Sequence, residues 1–306
     1  MKFLIYAIAL IITGCSSTRP VVNISKQQTL LDKTGWVSDT IRKDLVWYQY
    51  KNVPDKDFPN QTVNVLSFDP KLKIGKLFIA YDKNKDSLSA FADKYPDVKA
   101  GINGTYFLEK KDGVKNYLYL RLNGVDLQKS EVPSDHVLSW KNKAMFTYDN
   151  NRNNFKISYT PSDISTEKSQ NILTGAPMLI YNYDPVGLKF VDTTGVNLSK
   201  LYYEDPIKHQ GIRHPRTAIA TTGDGKILLI TVDGRNKNAV GMSAKELTAF
   251  LKRYFNPKSA MNIDGGGSTT MFVKGQPYNG TVNYPTDNKR FDHFGQRKVE
   301  TVILID

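Results

Sequence analysis

Residues 261–272 read MNIDGGGSTTMF, a short apolar approach ending in a carboxylate, three glycines and three hydroxyl residues. Consecutive glycines lose backbone entropy on ordering and contribute no side-chain packing. What they permit is close approach of backbone N–H groups to a ligand, an anion above all. Here that approach would lie beside Asp264 and the hydroxyls of Ser268, Thr269 and Thr270. The same letters also spell a tight turn at a strand end, so the carboxylate needs partners before it reads as a site. A second carboxylate, Asp233, closes the apolar run KILLITV (226–232) and is followed by Gly234 and Arg235.

The elements between these two acids decide whether they can meet. The KILLITV run has the composition of a strand buried on both faces. Ser243-Ala-Lys-Glu246 is a capping box that opens a helix, with Leu247, Phe250, Leu251 and Tyr254 on one face and Pro257 beyond its end. Ser259–Ile263 then reads as a short strand. Strand, helix and strand over about 38 residues make a βαβ unit, whose strands should run parallel through a right-handed crossover. Carboxyl ends of parallel strands share one edge of a sheet, so Asp233 and Asp264 are predicted to be near neighbours there. A weaker echo precedes them: strand 76–81, helix 87–95 and strand 98–102 lead into Asn103-Gly104-Thr105. An internal duplication would place Asn103 beside Asp264, although chance likeness of two strand–turn segments explains the echo equally well.

Elsewhere, residues 40–81 read as strands separated by Pro54, Pro59 and Asp69-Pro70. Residues 117–160 alternate apolar and polar around Asn123-Gly124 and Asn150–Asn154, the pattern of hairpins. Residues 161–210 are the least readable, with 173–181 resembling a loop that enters a strand. The whole predicts an α+β fold: a mixed β-sheet core with βαβ units, helices packed on the sheet, and a single catalytic domain over 36–306.

The first fifteen residues carry a different instruction. Lys2, the apolar run Phe3–Ile12 and Ile12-Thr13-Gly14-Cys15 resemble a bacterial lipoprotein signal, too short to remain as a spanning helix. Cys15 would become the lipidated first residue, and 16–35 a polar tether. Cys15 is the only cysteine, so an intramolecular disulfide is ruled out, and thiol catalysis with it once the sulfur is acylated. The expected location is the cell envelope, lipid-anchored to a membrane. Net charge is +12, but the lysines are scattered without a run of five, which argues against a nucleic-acid arm. Seventeen tyrosines and fourteen phenylalanines exclude a disordered chain.

Four segments taken in order, Asn103-Gly-Thr-Tyr-Phe, Arg216-Thr-Ala-Ile-Ala, Val232-Asp-Gly-Arg235 and Asn262–Thr270, resemble the phosphodiester glycosidase family. Gly175-Ala-Pro-Met-Leu, Gly241-Met-Ser-Ala-Lys-Glu246-Leu, Val282-Asn283-Tyr-Pro and Arg297-Lys-Val-Glu-Thr-Val support the likeness. Thr105 and Ala220 stand where that family usually has glycine. The resemblance implies a hydrolase that removes a sugar from a sugar–phosphate–sugar diester. Elementary chemistry agrees. Attack at the anomeric carbon expels a phosphate monoester, already a stable anion, so the enzyme needs cations around phosphate and a carboxylate more than a strong acid.

Asp233 and Asp264 are then the catalytic carboxylates, with Arg216 and Arg235 as bidentate phosphate clamps. Asn103, Gly104, Thr105, Gly265, Gly266, Gly267, Ser268, Thr269, Asn283 and Arg297 are the expected substrate contacts, the glycine segment cradling the anion. Each has a plainer reading: Asp233 a turn, Arg216 a scaffold ion pair, Asn103 a cap of its own turn, Glu246 a capping residue. His136, His209, His214 and His293 lack metal-like spacing, and only His214, two residues before Arg216, invites attention. No metal or cofactor is expected, with a carboxylate-bound Ca²⁺ left open. The expected partners are a phosphorylated glycan and, through the lipid, a membrane; the oligomeric state is not readable. Two other readings stand: a surface lipoprotein that binds acidic glycan without catalysis, and a metal-dependent phosphodiesterase.

Overall fold

Strand pairing organises the chain into three sheets. The computed structural model describes residues 35–51, 55–107, 116 and 118–306. Cys15, the signal-like segment and all of the 16–35 tether except Gly35 lie outside those residues. A seven-stranded sheet runs in the order Val37–Arg42, Leu45–Lys51, Thr62–Phe68, Ile227–Val232, Arg216–Thr221, Ser259–Asn262, Met178–Ile180. A four-stranded sheet runs Met271–Val273, Ala100–Asn103, Val299–Ile305, Leu77–Asp86. The third, of five strands, holds two hairpins, one turning at Asn123-Gly124 and one at 150–153. Both Asn123 and Gly124 have positive φ, as a tight hairpin turn requires.

The two βαβ units form by the same rule, and with a difference from expectation. Ile227–Val232 and Ser259–Asn262 run in the same direction but are not neighbours. Arg216–Thr221 lies between them and pairs antiparallel with both. In the echo, Leu77–Asp86 and Ala100–Asn103 likewise flank Val299–Ile305, which is antiparallel to each. Each crossover helix therefore spans one inserted strand, and all the ladders are antiparallel. Arg216–Thr221 is the hairpin partner of Ile227–Val232 across a short turn, whereas Val299–Ile305 comes from distant sequence, which local periodicity does not report.

Packing follows from alternation along the strands. In Ile227–Val232, Ile227 and Leu229 enter a core shared by the three sheets, while Leu228, Ile230 and Val232 meet the helix Ala244–Tyr254 on the opposite face. That helix starts at the capping box: the Ser243 hydroxyl accepts from the Glu246 N–H, and the Glu246 carboxylate from the Ser243 N–H. A shorter helix, Leu88–Asp93, covers the outer face of the four-stranded sheet. The result is a single α+β domain of several sheets with few helices. It brings Asn103, Asp233 and the segment after Asn262 toward one another.

Candidate active site

Asp264 follows the strand Ser259–Asn262 and opens onto a cavity of about 260 Å³ that it shares with Arg216, Arg235, Arg297 and the three glycines. Burial pushes its carboxyl up to about 6, with the nearby charge of Arg297 opposing the rise. Its backbone is fixed from the echo unit. Asn103 Nδ2 donates to the Asp264 carbonyl (2.8 Å), while Asn103 Oδ1 accepts from Thr217 Oγ1 (2.9 Å) and from the Thr270 N–H (3.1 Å). Asn103 is thus buried and occupied, a clasp between two strand ends.

The glycines serve the arginines. Gly266 has φ +62°, and a Cβ there would sit 3.1 Å from Arg235 Nη2. At Gly267 a Cβ would fall 2.6 Å from Arg297 Nη2 and 2.7 Å from Asp287 Oδ1, the two partners of an ion pair. Four N–H groups of the segment are committed within the protein. Gly266 donates to the Pro215 carbonyl (2.8 Å), Ser268 and Thr269 close a short turn, and Thr270 bonds Asn103. The segment therefore makes room for guanidinium groups on the cavity wall as well as presenting backbone to it.

Arg216 is the largest fully buried side chain. Nε donates to the Met242 carbonyl (2.8 Å), Nη1 to Gln210 Oε1 (2.9 Å), and Nη2 to the carbonyls of His209 (3.0 Å) and Ile212 (2.9 Å). All four acceptors are neutral, and among the described residues no carboxylate lies within ion-pair distance of it. Burial drags its pKa down to about 10, which still leaves it charged. A buried cation compensated only by dipoles is costly, and that cost becomes intelligible if the cavity receives an anion. Arg235 is exposed and sits at φ +62°, an uncommon conformation for a side chain of its size, held partly by a bond to Thr286 Oγ1 (3.3 Å).

Asp233 corrects the expectation of two acids in one cleft. It has no exposed surface and does not line the cavity. Its Oδ1 accepts from Asn283 Nδ2 (2.9 Å) and from the Tyr284 N–H (3.0 Å), and burial lifts its carboxyl to about 6. Asn283 passes the constraint on, donating to the Thr269 carbonyl (3.0 Å) and accepting from the Met271 N–H (2.8 Å). Asp233 and Asn283 thus brace the far end of the glycine segment from beneath. Gly104, Thr105, Ser268 and Thr269 are buried too, and with Asn103 and Asn283 they lie outside the cavity lining. The chain turns inward at each of these strand ends, so position at the carboxyl edge did not guarantee access.

The cavity has residues that the sequence left unread. Lys141 and Glu204 line it and form an ion pair of 2.6 Å. The Trp140 indole N–H donates to the Glu204 carbonyl (2.9 Å), which fastens one segment to the other. Tyr106, Phe107, Tyr203, His209 and His214 complete the wall. Tyr106 and Phe107 lay in plain view, at the end of the Asn103-Gly-Thr-Tyr-Phe segment. Lys141 comes from a single helical turn, Ser139–Asn142, and Tyr203 and Glu204 from a loop, and no local signal marks them.

Asp264 shares this cavity with three guanidinium groups, an ammonium and a second carboxylate, an arrangement suited to an anionic ligand. Comparison with known proteins agrees with that class. Residues 96–306 match the sequence model described as phosphodiester glycosidase, and the chain belongs to that hydrolase family. A stretch of 91 residues, 25% of the chain, is 33% identical to the SPbeta prophage-derived protein YomE of Bacillus subtilis. Another of 100 residues, 32% of the chain, is 30% identical to mouse N-acetylglucosamine-1-phosphodiester alpha-N-acetylglucosaminidase. These matches span only 14% and 18% of the relatives' own lengths. The zebrafish N-acetylglucosamine-1-phosphodiester alpha-N-acetylglucosaminidase catalytic domain shares the fold, with a TM-score of 0.60 at 17% identity over 87% of this chain and 85% of that one.

Proposed function

We propose that the protein hydrolyses sugar-1-phosphodiester linkages of a phosphorylated glycan, at the cell envelope, anchored by lipid on Cys15. The observation that carries the reading is Asp264 sharing a cavity with Arg216, Arg235 and Arg297, of which Arg216 is buried with no carboxylate partner among the described residues. Arg235 and Arg297 hold the diester phosphate. Arg216, four of whose five N–H groups are donated inside the protein, contributes its charge rather than the bidentate grip expected of it. Guanidinium groups thus do the work a metal ion does elsewhere. Asp264 acts at the anomeric carbon, either as nucleophile or as the base that activates water. The carbon–oxygen bond breaks, its electron pair departs with the phosphate monoester, and water supplies the new hydroxyl. Glu204, held by Lys141, is the other carboxylate within the cavity.

Hydrolysis in ¹⁸O-labelled water tests this bond assignment. Label is expected in the released sugar; label in the phosphate would mean attack at phosphorus and would overturn the role given to Asp264.

The anchor has its own test. Among the described residues no helix is long and apolar enough to cross a membrane, so attachment in this reading rests on Cys15. Cys15→Ser is expected to release the protein from the membrane fraction with its specific activity intact. Detergent partitioning unchanged by the mutation would show that Cys15 carries no lipid.

A further inference from the structure

His214 stands on the cavity wall two residues before Arg216, and the chemistry above leaves it without a task. It is only 8% exposed, and among the described residues neither Nδ1 nor Nε2 has a hydrogen-bond partner. A neutral imidazole carries one N–H donor and one acceptor nitrogen, and burying either unpartnered is costly. The segment has little freedom to carry the ring elsewhere. The His214 N–H donates to the Met242 carbonyl (3.3 Å) and its own carbonyl accepts from the Met242 N–H (3.1 Å). Gly241 packs so closely that a Cβ there would lie 2.4 Å from the His214 carbonyl oxygen, and one at Gly234 would lie 2.9 Å from its carbonyl carbon.

The surroundings of the ring are cationic and aromatic. Tyr203 and His209 present their rings at 5.8 and 5.9 Å between centroids. Arg216 opens the strand that begins two residues on, and Arg235 lies on the turn after the neighbouring strand. Burial first, then these two charges, press the His214 pKa down to about 3. His209 already has Nδ1 engaged with the Gln210 amide (2.9 Å), and Glu246 is taken by Arg213 and Ser243. Asp264, Glu204 and Lys141 share the same cavity.

We propose that His214 is a ligand of the tetrahedral anion in this cavity, donating a ring N–H to one of its oxygens beside Arg216 and Arg235. The inference rests on the phosphate reading of the site and adds to it a coupling between anion and proton. An anion between the arginines offsets their charge and gives the orphaned ring a partner. Both changes favour imidazolium, so binding draws a proton from solvent onto a histidine that is neutral in the empty site.

Sulfate is the probe, because it is tetrahedral and has no ionisation of its own near neutral pH. It is titrated at pH 6 into the full-length protein carrying Asp264→Asn, which lacks the carboxyl held up at about 6 in the same cavity. In buffers of different ionisation heat it should bind with uptake of a measurable fraction of a proton, and the His214 variants are compared in that same background. The ring ¹⁵N signals of His214 should move toward those of imidazolium. His214→Phe should weaken sulfate by about tenfold and remove the uptake. His214→Asn, which keeps a donor but does not titrate, should retain most of the affinity without uptake. Full affinity in His214→Phe, uptake surviving in His214→Asn, or unmoved ring signals on binding would each overturn the role of His214 while leaving a phosphate pocket in place. A protein that binds neither sulfate nor inorganic phosphate would overturn the pocket and the coupling together.

Discussion

Asp264→Asn should lower turnover on a sugar-1-phosphodiester by about a thousandfold or more, and it should make the protein more stable at pH 8. The change keeps the size of the side chain and removes only its ionisation. Activity falls because the account gives the attack at carbon, direct or through water, to this carboxylate. Stability rises because the fold holds the Asp264 carboxyl up at about 6, against the usual carboxylate range. The sign follows from linkage. Below about pH 3 the group is protonated in both folded and unfolded chains, and its burial as an acid costs nothing extra. As pH rises from about 3 through 6 the unfolded chain ionises more readily, so the folded state loses ground and stays disadvantaged above. Allowing for its partial exposure at the cavity, the penalty is on the order of 2 kcal/mol. Denaturant unfolding of the two proteins should therefore differ at pH 8 and converge below about pH 3. In the unmodified protein kcat/KM should climb through pH 6 as the carboxylate forms. Full turnover in the Asn variant would remove Asp264 from the chemistry.

Arg235→Asn should reduce kcat/KM on the same substrate by about a hundredfold, the scale of losing one contact to developing charge in a water-poor site. Asn is chosen because it tolerates the left-handed backbone found at this position. Arg235 is exposed and makes one bond, to Thr286, so its removal should leave the unfolding midpoint nearly unchanged. Arg216 offers no such clean test, since its loss would strand four buried acceptors at once. The diagnostic comparison is an alkyl glycoside of the same sugar, whose slow hydrolysis should not depend on Arg235. Equal losses on both substrates would assign Arg235 to sugar binding or to structure.

Local patterns carried the elements, and the topology escaped them. The strand Ile227–Val232, the capped helix at Ser243, the Asn123-Gly124 hairpin and the echo unit were all legible, because apolar period, caps and turn residues act within a few positions of chain. The placement of Arg216–Thr221 between two parallel strands was not: its hairpin with Ile227–Val232 is local, but its other edge pairs with Ser259–Asn262, which lies beyond the helix in sequence. The same limit governs the site. Asp264 and the glycine segment announced themselves by composition, whereas Asp233 carries the same Asp-Gly signature and is buried under the loop at Asn283 and Tyr284. Whether a strand-end acid opens to a cavity depends on what later chain lays over it. Lys141 and Glu204 find each other across segments separated by more than sixty residues, and only the folded chain brings them to Asp264.

The central claim is that this cavity is built for a departing phosphate. It is tested most directly by the rates of the unmodified protein on a sugar-1-phosphodiester, such as an α-N-acetylglucosamine-1-phosphodiester, and on the matching alkyl glycoside under identical conditions. The account predicts that the phosphodiester is cleaved at least about a hundredfold faster, in proportion to the cationic contacts that only the phosphate can use. Equal rates on the two substrates would contradict it.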